Sequence, residues 1–357
     1  PYPCTSTTLG APAAAAREEL HPLAGQPVEV TVDDGARLHV EVDPADTAPA
    51  GAPSVVLVHG YGLSADAWHF QRLALRGRYR LVLPEHRGHG RSTRGPAGPV
   101  AVARLADDLG LVLDAVAPTG PLVLVGHSLG GMTIMELAVR RPDLLERTRA
   151  VALVATSSGG LAAFDHGLPL LGRHLVRWAE QALQRTAERA DVLERGRRLG
   201  AEVEQRLVAH WSFASPVSPE VERLAARMMA GTSVGTIADL LPAFGTLDES
   251  EALTALAGRP VLVVAAERDL MTPAAHGRTI ADAVPGAEHV LVRQSGHLVM
   301  LEHPAVVTSR LERLLARAAG GDGAPAGDEV VLPLSERSRA ARAAAATRAA
   351  RARGGRR

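Results

Sequence analysis

Hydrophobic and polar positions follow two different patterns along the first half of the chain. Residues 27–42 alternate apolar and polar side chains around Asp33-Asp34-Gly35, a pattern that predicts a β-hairpin. From residue 54 onward, short β-branched runs are separated by longer stretches with helical composition and spacing. The predicted elements are strand 54–58, helix 65–76, strand 79–83, helix 100–116, strand 121–125, helix 130–140 and strand 149–155. Because strands that alternate with helices pair in parallel, the pattern predicts an α/β fold with a mostly parallel central sheet flanked by helices.

This succession is interrupted once. Residues 158–250 contain no convincing strand and carry helical patterns rich in Arg, Glu, Leu and Ala. Strands are predicted again at 260–265 and 287–293, followed by a last helix at 305–315. We therefore expect an α/β core in two parts, 26–157 and 251–318, with an all-helical cap at 158–250 inserted after the sixth strand. The alternative is an independent helical domain fused in series.

The two ends of the chain differ from the core in composition. Residues 1–25 are rich in Ala, Pro and Thr and are expected to be flexible, whereas residues 319–357 are expected to form a disordered basic tail. The last part of this tail, residues 336–357, holds eight Arg and one Glu. We expect deletion of residues 319–357 to leave turnover and melting temperature nearly unchanged. A small apolar cluster at residues 330–334 is the exception, since it is able to dock on the core as a short strand.

The most informative motif is Gly126-His127-Ser128-Leu129-Gly130, which lies between a predicted buried strand and a predicted helix. A serine in this G-x-S-x-G context occupies a strained strand-to-helix turn that exposes its hydroxyl. The flanking glycines allow close packing of helix and strand. Ser128 is therefore the predicted nucleophile, and Ser157 or Ser158 at the next strand end is the fallback.

A serine hydroxyl needs a base, and the base needs an orienting acid. Asp269 and His297 each follow a predicted strand, in the chain order Ser, Asp, His. Because the carboxyl ends of parallel strands share one edge of a sheet, these side chains are expected to meet Ser128 there. The alternative for Asp269 is a solvated loop acid or the N-cap of the helix at Pro273, and the alternative for His297 is a surface position before a helix.

Stabilisation of the oxyanion is assigned to backbone N–H groups. The strand 54–58 ends in His59-Gly60-Tyr61-Gly62, whose small residues let N–H groups face a developing negative charge. We predict the N–H groups of Tyr61 and Leu129 as the two donors. His59 is expected to brace this loop rather than to transfer protons.

With these motifs in place, the sequence resembles the α/β-hydrolase superfamily, specifically its cap-bearing, cofactor-free branch of esterases and non-haem haloperoxidases. The matching stretches are VLVHGYG (56–62), RGHGRS (87–92), VGHSLGG (125–131), ERD (267–269) and SGH (295–297). Their order and spacing fit the family across residues 28–317. One departure is Glu85, which stands where the family usually has Asp. That acid is not a triad member in the family pattern, so only the packing of the local loop is affected.

The resemblance implies a cofactor-independent serine hydrolase that cleaves a carboxylic ester through an acyl-enzyme. Haloalkane dehalogenases and epoxide hydrolases of similar fold carry Asp at the nucleophile position, which argues against both reactions here. Perhydrolase, thioesterase, lactonase and carbon–carbon bond hydrolase activities use the same triad and remain open. A non-catalytic receptor on the same fold is a further alternative.

The placement of aromatic residues indicates an apolar substrate. Eight of the ten aromatic residues lie in the predicted cap or just after the oxyanion strand. From this group we predict Trp178, Trp211 and Phe213 as substrate-binding residues, with an apolar acyl group as the ligand. Ordinary packing inside the cap is the alternative for each of them.

Composition limits the partners and cofactors. The formal net charge is zero, which gives no electrostatic signature for nucleic acid, and no apolar run is long enough to span a membrane. No Cys/His cluster has zinc spacing, and the glycine motifs match neither a phosphate loop nor a dinucleotide fingerprint, so no metal or cofactor is expected. The single cysteine, Cys4, is consistent with a cytoplasmic location. The expected partner is a small-molecule substrate, and the oligomeric state is not predicted.

Overall fold

The computed structural model describes residues 20, 23–47, 51–161, 208, 210–321 and 328–331. Its centre is one sheet with strand order β1-β2-β4-β3-β5-β6-β7-β8-β9. The strands are β1 (Gln26–Thr31), β2 (Arg37–Asp43), β3 (Ser54–Val58), β4 (Leu81–Pro84), β5 (Leu122–His127), β6 (Thr148–Val154), β7 (Val261–Ala266), β8 (Glu288–Val292) and β9 (Asp328–Val331). Strands β1 and β2 form the predicted hairpin and pair antiparallel, and every pairing from β4 to β9 is parallel. The predicted mostly parallel α/β sheet is therefore confirmed.

Helices cover both faces of the sheet. They are α1 (His69–Leu75), α2 (Val102–Val116), α3 (Leu129–Arg140), α4 (Pro142–Arg147), α5 (Pro219–Gly231), α6 (Val234–Gly245), α7 (Ser250–Ala255), α8 (Ala274–Ala283), α9 (Val299–Glu302) and α10 (Pro304–Ala318). The central strands are apolar on both sides because alternate residues face opposite helix layers. In β3, for example, Val56 packs with the layer that contains α2 and α3, whereas Leu57 packs with the layer that contains α1 and α10.

The strand ends bring the predicted site residues to one edge of the sheet. Strands β5, β6, β7 and β8 are paired in register through His127↔Val154, Val154↔Val264 and Ala266↔Val292. The loops that follow these strands therefore leave the sheet side by side. Ser128, Asp269 and His297 lie on three of those loops.

The described part of the insertion between β6 and β7 is helical. Helices α5 and α6 lie there, and a bridge between Gly159 and Asp248 joins the two ends of the insertion. The predicted residue Trp178 and the rest of 162–207 lie outside the described residues. Within the described part of the chain, no helix is long and apolar enough to cross a membrane.

The expectation of a disordered tail from residue 319 is wrong for residues 328–331. These residues form β9, which pairs with β8 and covers the edge of the sheet. The guanidinium of Arg310 donates to the Glu329 carboxylate at 2.6 Å and fastens the strand to α10. An unpaired edge strand offers a row of free backbone groups, and β9 pairs with those of β8.

The flexible N-terminal segment also ends earlier than predicted. The Arg72 guanidinium donates to the carbonyl oxygen of Leu23 at 2.7 Å, and the Gly25 N–H donates to the Glu41 carboxylate at 2.5 Å. Residues 23–25 are therefore held on the core. The sequence pattern missed this because the anchor is a buried side chain far away in the chain.

Candidate active site

Ser128 occupies the strained turn that its motif predicts. It lies between β5 and α3 with φ 51° and ψ −119°, a backbone conformation that residues other than glycine rarely adopt. The turn is tight, since a Cβ atom at Gly126 would lie 2.5 Å from the carbonyl oxygen of Gly130. The Thr156 hydroxyl donates to the Ser128 carbonyl oxygen at 2.7 Å, and the Ser128 N–H donates to the Val154 carbonyl oxygen at 3.0 Å. Neighbouring elements therefore hold the serine in this conformation.

Asp269 is a buried carboxylate with four hydrogen-bond donors. Its Oδ1 accepts from the N–H groups of Met271 and Thr272 at 2.8 and 2.9 Å. Its Oδ2 accepts from the Thr272 hydroxyl at 2.9 Å and from His297 Nδ1 at 2.8 Å. Burial acts to raise the pKa of Asp269, but the charge of His297 and the hydrogen bonds outweigh it and hold the pKa below its ordinary value. The aspartate therefore stays ionised.

His297 is brought to Asp269 by the loops after β7 and β8. The N–H of Arg268 donates to the carbonyl oxygen of Ser295 at 2.9 Å and ties these loops together. An ionised carboxylate only accepts, so His297 Nδ1 carries the proton and Nε2 presents a lone pair. This is the tautomer that a general base requires.

His127 holds the loop of His297 through a hydrogen bond to its backbone. Its Nε2 donates to the His297 carbonyl oxygen at 2.9 Å, and the two imidazole rings lie 4.7 Å apart. Complete burial, together with a smaller electrostatic contribution from the adjacent His297, lowers the pKa of His127 to about 3, so His127 remains neutral. Since His127 precedes Ser128 directly, this contact brings the loop of His297 close to the turn that carries Ser128.

The two predicted oxyanion donors are available. Among the described residues, neither the Tyr61 N–H nor the Leu129 N–H donates to any backbone or side-chain acceptor. The loop after β3 passes close to the serine, since a Cβ atom at Gly60 would lie 3.1 Å from Ser128 Cβ. The Tyr61 hydroxyl donates to the Ile237 carbonyl oxygen of α6 at 2.7 Å, which connects this loop to the insertion.

Three buried histidines brace the same loop. His59 Nδ1 donates to the Gly60 carbonyl oxygen at 2.8 Å, and His89 Nε2 accepts from the Gly62 N–H at 3.0 Å. Burial lowers the pKa of His59 well below its ordinary value and that of His89 to about 4. His86, whose pKa burial lowers to about 3, donates through Nε2 to the His59 carbonyl oxygen at 3.0 Å. The interpretation of His59 as a brace agrees with these contacts.

Glu85 keeps its loop closed although it replaces the usual aspartate. Its carboxylate accepts from the Arg91 N–H at 2.6 Å and from the Ala65 N–H at 3.3 Å. Both partners are backbone groups of neighbouring loops. These bonds hold the loop of Glu85 against its neighbours.

The predicted substrate-binding residues separate in the structure. The backbone of Phe213 lies against the loop of His297, since a Cβ atom at Gly296 would lie 2.9 Å from Phe213 Cα. The Phe213 side chain is half-buried and packs on the core. Trp211 is 36% exposed at the surface. Phe213 is thus brought to the site more directly than Trp211.

Sequence reasoning missed several residues that hold the site together. Thr272 contacts Asp269, and Thr156 contacts Ser128. Glu302 contacts the loop that carries His297. For Thr272 a signal exists, since Asp269-x-x-Thr272 is a local capping pattern. Asp269 caps this turn through Oδ1, whereas the N-cap of α8 is Pro273, so the alternative role of Asp269 as the N-cap of that helix is not filled. Its other oxygen, Oδ2, faces His297. The other two contacts join distant segments and leave no local signal.

Comparisons with known proteins agree with this geometry. The profile of a family described as "alpha/beta hydrolase fold" matches residues 53–304. A putative carbamate hydrolase, RutD, of Klebsiella pneumoniae is 31% identical over 254 residues, which cover 70% of this chain and 87% of that protein. A thermophilic esterase from Thermogutta terrifontis superposes with a TM-score of 0.65 and 24% identity, over 82% of this chain and 99% of the esterase. An enol-lactonase from Burkholderia xenovorans gives a TM-score of 0.65 and 24% identity, over 81% of this chain and all (100%) of that chain.

The two structural likenesses concern the fold, whereas the family profile covers the residues that carry the site. That profile spans the strands β3 to β8 and the loops with Tyr61, Ser128, Asp269 and His297. The resemblance inferred from the sequence motifs is confirmed. The chain belongs to the α/β-hydrolase fold family.

Proposed function

We propose that this protein is a serine hydrolase that cleaves a carboxylic ester through an acyl-enzyme. Ser128 is the nucleophile, His297 the general base and acid, and Asp269 the residue that orients the imidazole. The hydrogen bond of 2.8 Å between His297 Nδ1 and Asp269 Oδ2 carries the proposal. A buried aspartate paired with a histidine beside a strained serine is the arrangement that activates a hydroxyl group.

The proposed reaction has two halves. Ser128 Oγ attacks the ester carbonyl carbon while His297 Nε2 takes the hydroxyl proton. The N–H groups of Tyr61 and Leu129 stabilise the tetrahedral oxyanion. The intermediate collapses, the carbon–oxygen bond to the alcohol breaks, and His297 returns the proton to the leaving alkoxide.

Water then completes the cycle. His297 takes a proton from a water molecule, whose oxygen attacks the acyl carbon, and a second tetrahedral intermediate forms in the same oxyanion site. Its collapse releases the carboxylic acid and restores the Ser128 hydroxyl with the proton from His297. All steps use groups of this chain and water.

The proposed substrate carries an apolar acyl group, with Trp178, Trp211 and Phe213 as its binding residues. The position of Phe213 against the histidine-bearing loop supports this choice. A cytoplasmic location is proposed from the single cysteine of the sequence.

A carbamate is the second candidate substrate. It is supported by the similarity to the putative carbamate hydrolase RutD, at 31% identity. The same triad would form a carbamoyl-enzyme in place of an acyl-enzyme, with the oxyanion in the same position. The two candidates differ only in the group attached to the carbonyl carbon.

Labelling with a fluorophosphonate tests the proposal. The wild-type protein is expected to be modified at Ser128, as identified by mass spectrometry of peptides, and Ser128→Ala is expected to remain unmodified. Ser158→Ala is the matched control and should be labelled like the wild type. Modification at another residue, or hydrolysis that persists in Ser128→Ala, would refute the assignment, and absence of labelling would favour a non-catalytic receptor.

A substrate panel then separates the candidates. p-Nitrophenyl esters of increasing chain length, a γ-lactone, a thioester and an alkyl carbamate are compared through kcat/KM. Higher kcat/KM for the longer esters supports an apolar acyl group. Preference for the carbamate would replace the ester in the proposal.

A further inference from the structure

Glu302 joins two segments that lie far apart in the sequence. Its Oε1 accepts from the N–H groups of Ala214 and Ser215 at 3.1 and 2.5 Å and from the Ser215 hydroxyl at 2.6 Å. Its Oε2 accepts from the Gly296 N–H at 2.6 Å. One oxygen therefore binds residues 212–215, here called the docking segment, and the other binds residues 295–298, here called the histidine loop.

The two segments also contact each other directly. The Leu298 N–H donates to the Ser212 carbonyl oxygen at 3.0 Å. A Cβ atom at Gly296 would lie 2.6 Å from that same oxygen and 2.9 Å from the Ala214 nitrogen. The docking segment belongs to the insertion between β6 and β7, so this contact is a seam between the insertion and the core.

The carboxylate of Glu302 is completely buried, and its side chain has 0% exposure. A buried carboxylate costs free energy unless its oxygens are fully bonded. Four donors from the two segments supply these bonds, and His303 Nε2 lies 3.8 Å away as the nearest cationic candidate among the described residues. The negative charge is therefore stabilised only when the docking segment and the histidine loop are both in place.

The bond to Gly296 closes a short ring around His297. Glu302 follows Gly296 by six residues, and His297 lies inside that ring. The carbonyl oxygen of His297 is held separately by His127 Nε2 at 2.9 Å. The backbone around His297 is thus held by one anchor from the core and one anchor that depends on Glu302, while Asp269 Oδ2 binds the imidazole itself.

We infer that Glu302 is a positioning residue that couples the seating of the docking segment to the placement of His297. The inference rests on the proposed function for the role of His297. The docking segment and the histidine loop are then ordered together, because one carboxylate binds both.

Two substitutions separate the two sides of this coupling. In Glu302→Gln, the amide oxygen is expected to remain with the three donors of the docking segment, which leaves the amide nitrogen facing the Gly296 N–H. The variant should lower kcat by about 10- to 100-fold with KM within about threefold of wild type, because a small displacement of a catalytic group is costly.

Ser215→Ala perturbs the docking segment instead of the histidine loop. It removes one donor from the docking segment and keeps the bond to Gly296. The segment is then seated in a smaller fraction of molecules, so the apparent affinity for substrate falls by that fraction. We expect KM to rise by about threefold or more, and kcat at saturation to stay within about threefold of wild type.

The experiment measures both variants against Glu312→Gln, which neutralises an exposed carboxylate on α10 that pairs with Arg78. Turnover is expressed per site titrated with a fluorophosphonate, so that unfolded protein does not count. Hydrogen exchange of peptides from the docking segment and the histidine loop gives a readout that does not depend on turnover. In Ser215→Ala, the coupling should accelerate exchange in the histidine loop as well as in the docking segment.

The outcomes are distinct. A fall in kcat for Glu302→Gln together with faster exchange in the histidine loop of Ser215→Ala supports the coupling. Unchanged kcat and KM per titrated site, or exchange that accelerates only in the segment that carries the substitution, would overturn it. If the wild-type protein is not labelled at Ser128, the proposed function fails, and hydrogen exchange still decides the coupling by itself.

Discussion

Replacement of Glu249 by Gln should change how the stability of the protein depends on pH. Glu249 lies where the insertion returns to the core, and its N–H donates to the Ser158 carbonyl oxygen at 2.7 Å. Its carboxyl group is buried and faces Glu136 of α3. Oε1 of Glu136 also lies 3.7 Å from the guanidinium of Arg140. Burial, the charge of Glu136, the hydrogen bond between the two side chains and the charge of Asp248 together raise the pKa of Glu249 to about 8.

The direction of the effect follows from linkage. The pKa of Glu249 in the folded protein, about 8, is above the ordinary value of 4.5, so the folded state binds more protons between these values. The stabilising contribution of the neutral carboxyl group is complete below pH 4.5 and is lost as the pH rises through 8. The difference between the two pKa values corresponds to roughly 5 kcal/mol, at 1.36 kcal/mol for each pH unit.

Solvent reduces this figure because the Glu136 side chain is 22% exposed. We therefore expect Glu249→Gln to increase the free energy of unfolding by about 2–4 kcal/mol near pH 9 and to change it little near pH 5. The amide retains hydrogen-bonding groups toward Glu136 without a negative charge.

Urea denaturation followed by circular dichroism between about pH 5 and pH 9 measures the effect. Glu136→Gln should reproduce part of the gain, since it removes the repulsive partner but leaves the burial of Glu249, which is the largest cause of the raised pKa. Glu251→Gln, at an exposed position on α7, is the matched control and should follow the wild-type curve. Parallel curves for Glu249→Gln and the wild type over this range would refute the reasoning.

Three further predictions concern the proposed triad and the ninth strand. Ser128→Ala should lower kcat by about 10⁴-fold or more at an unchanged melting temperature, and His297→Ala about as much, because triad residues act as a unit; near-normal turnover would contradict the assignment. Asp269→Asn should lower kcat by about 10³- to 10⁴-fold, since an amide that donates to His297 Nδ1 favours the wrong tautomer, and an unchanged kcat would exclude Asp269 as the triad acid. Truncation after residue 319 should lower the melting temperature by several degrees because β9 and its bond to Arg310 are lost, whereas truncation after residue 335 should not; equal melting temperatures would show that β9 adds no stability.

The sequence by itself determined the local elements of this protein. The β-branched runs and helical stretches are recognisable over five to fifteen residues, and strand 54–58 was predicted to the residue. The strained turn at Ser128 was also predictable, because glycines at 126 and 130 and the strand-to-helix change lie within one short window. Periodicity and turn chemistry act over such windows, which is why they can be read without the fold.

The tertiary structure decided which distant residues meet. The contact of Asp269 with His297 requires two loops to leave the sheet side by side, which depends on the order and register of β7 and β8. The pairing of β9 depends on an open edge of the sheet, which no segment can signal from its own composition. Glu302 binds Ser215, which lies 87 positions away in the sequence, and Gly296, which lies six positions away. Such contacts arise from the packing of the whole chain, because the energy of each one depends on which groups the rest of the fold brings beside it.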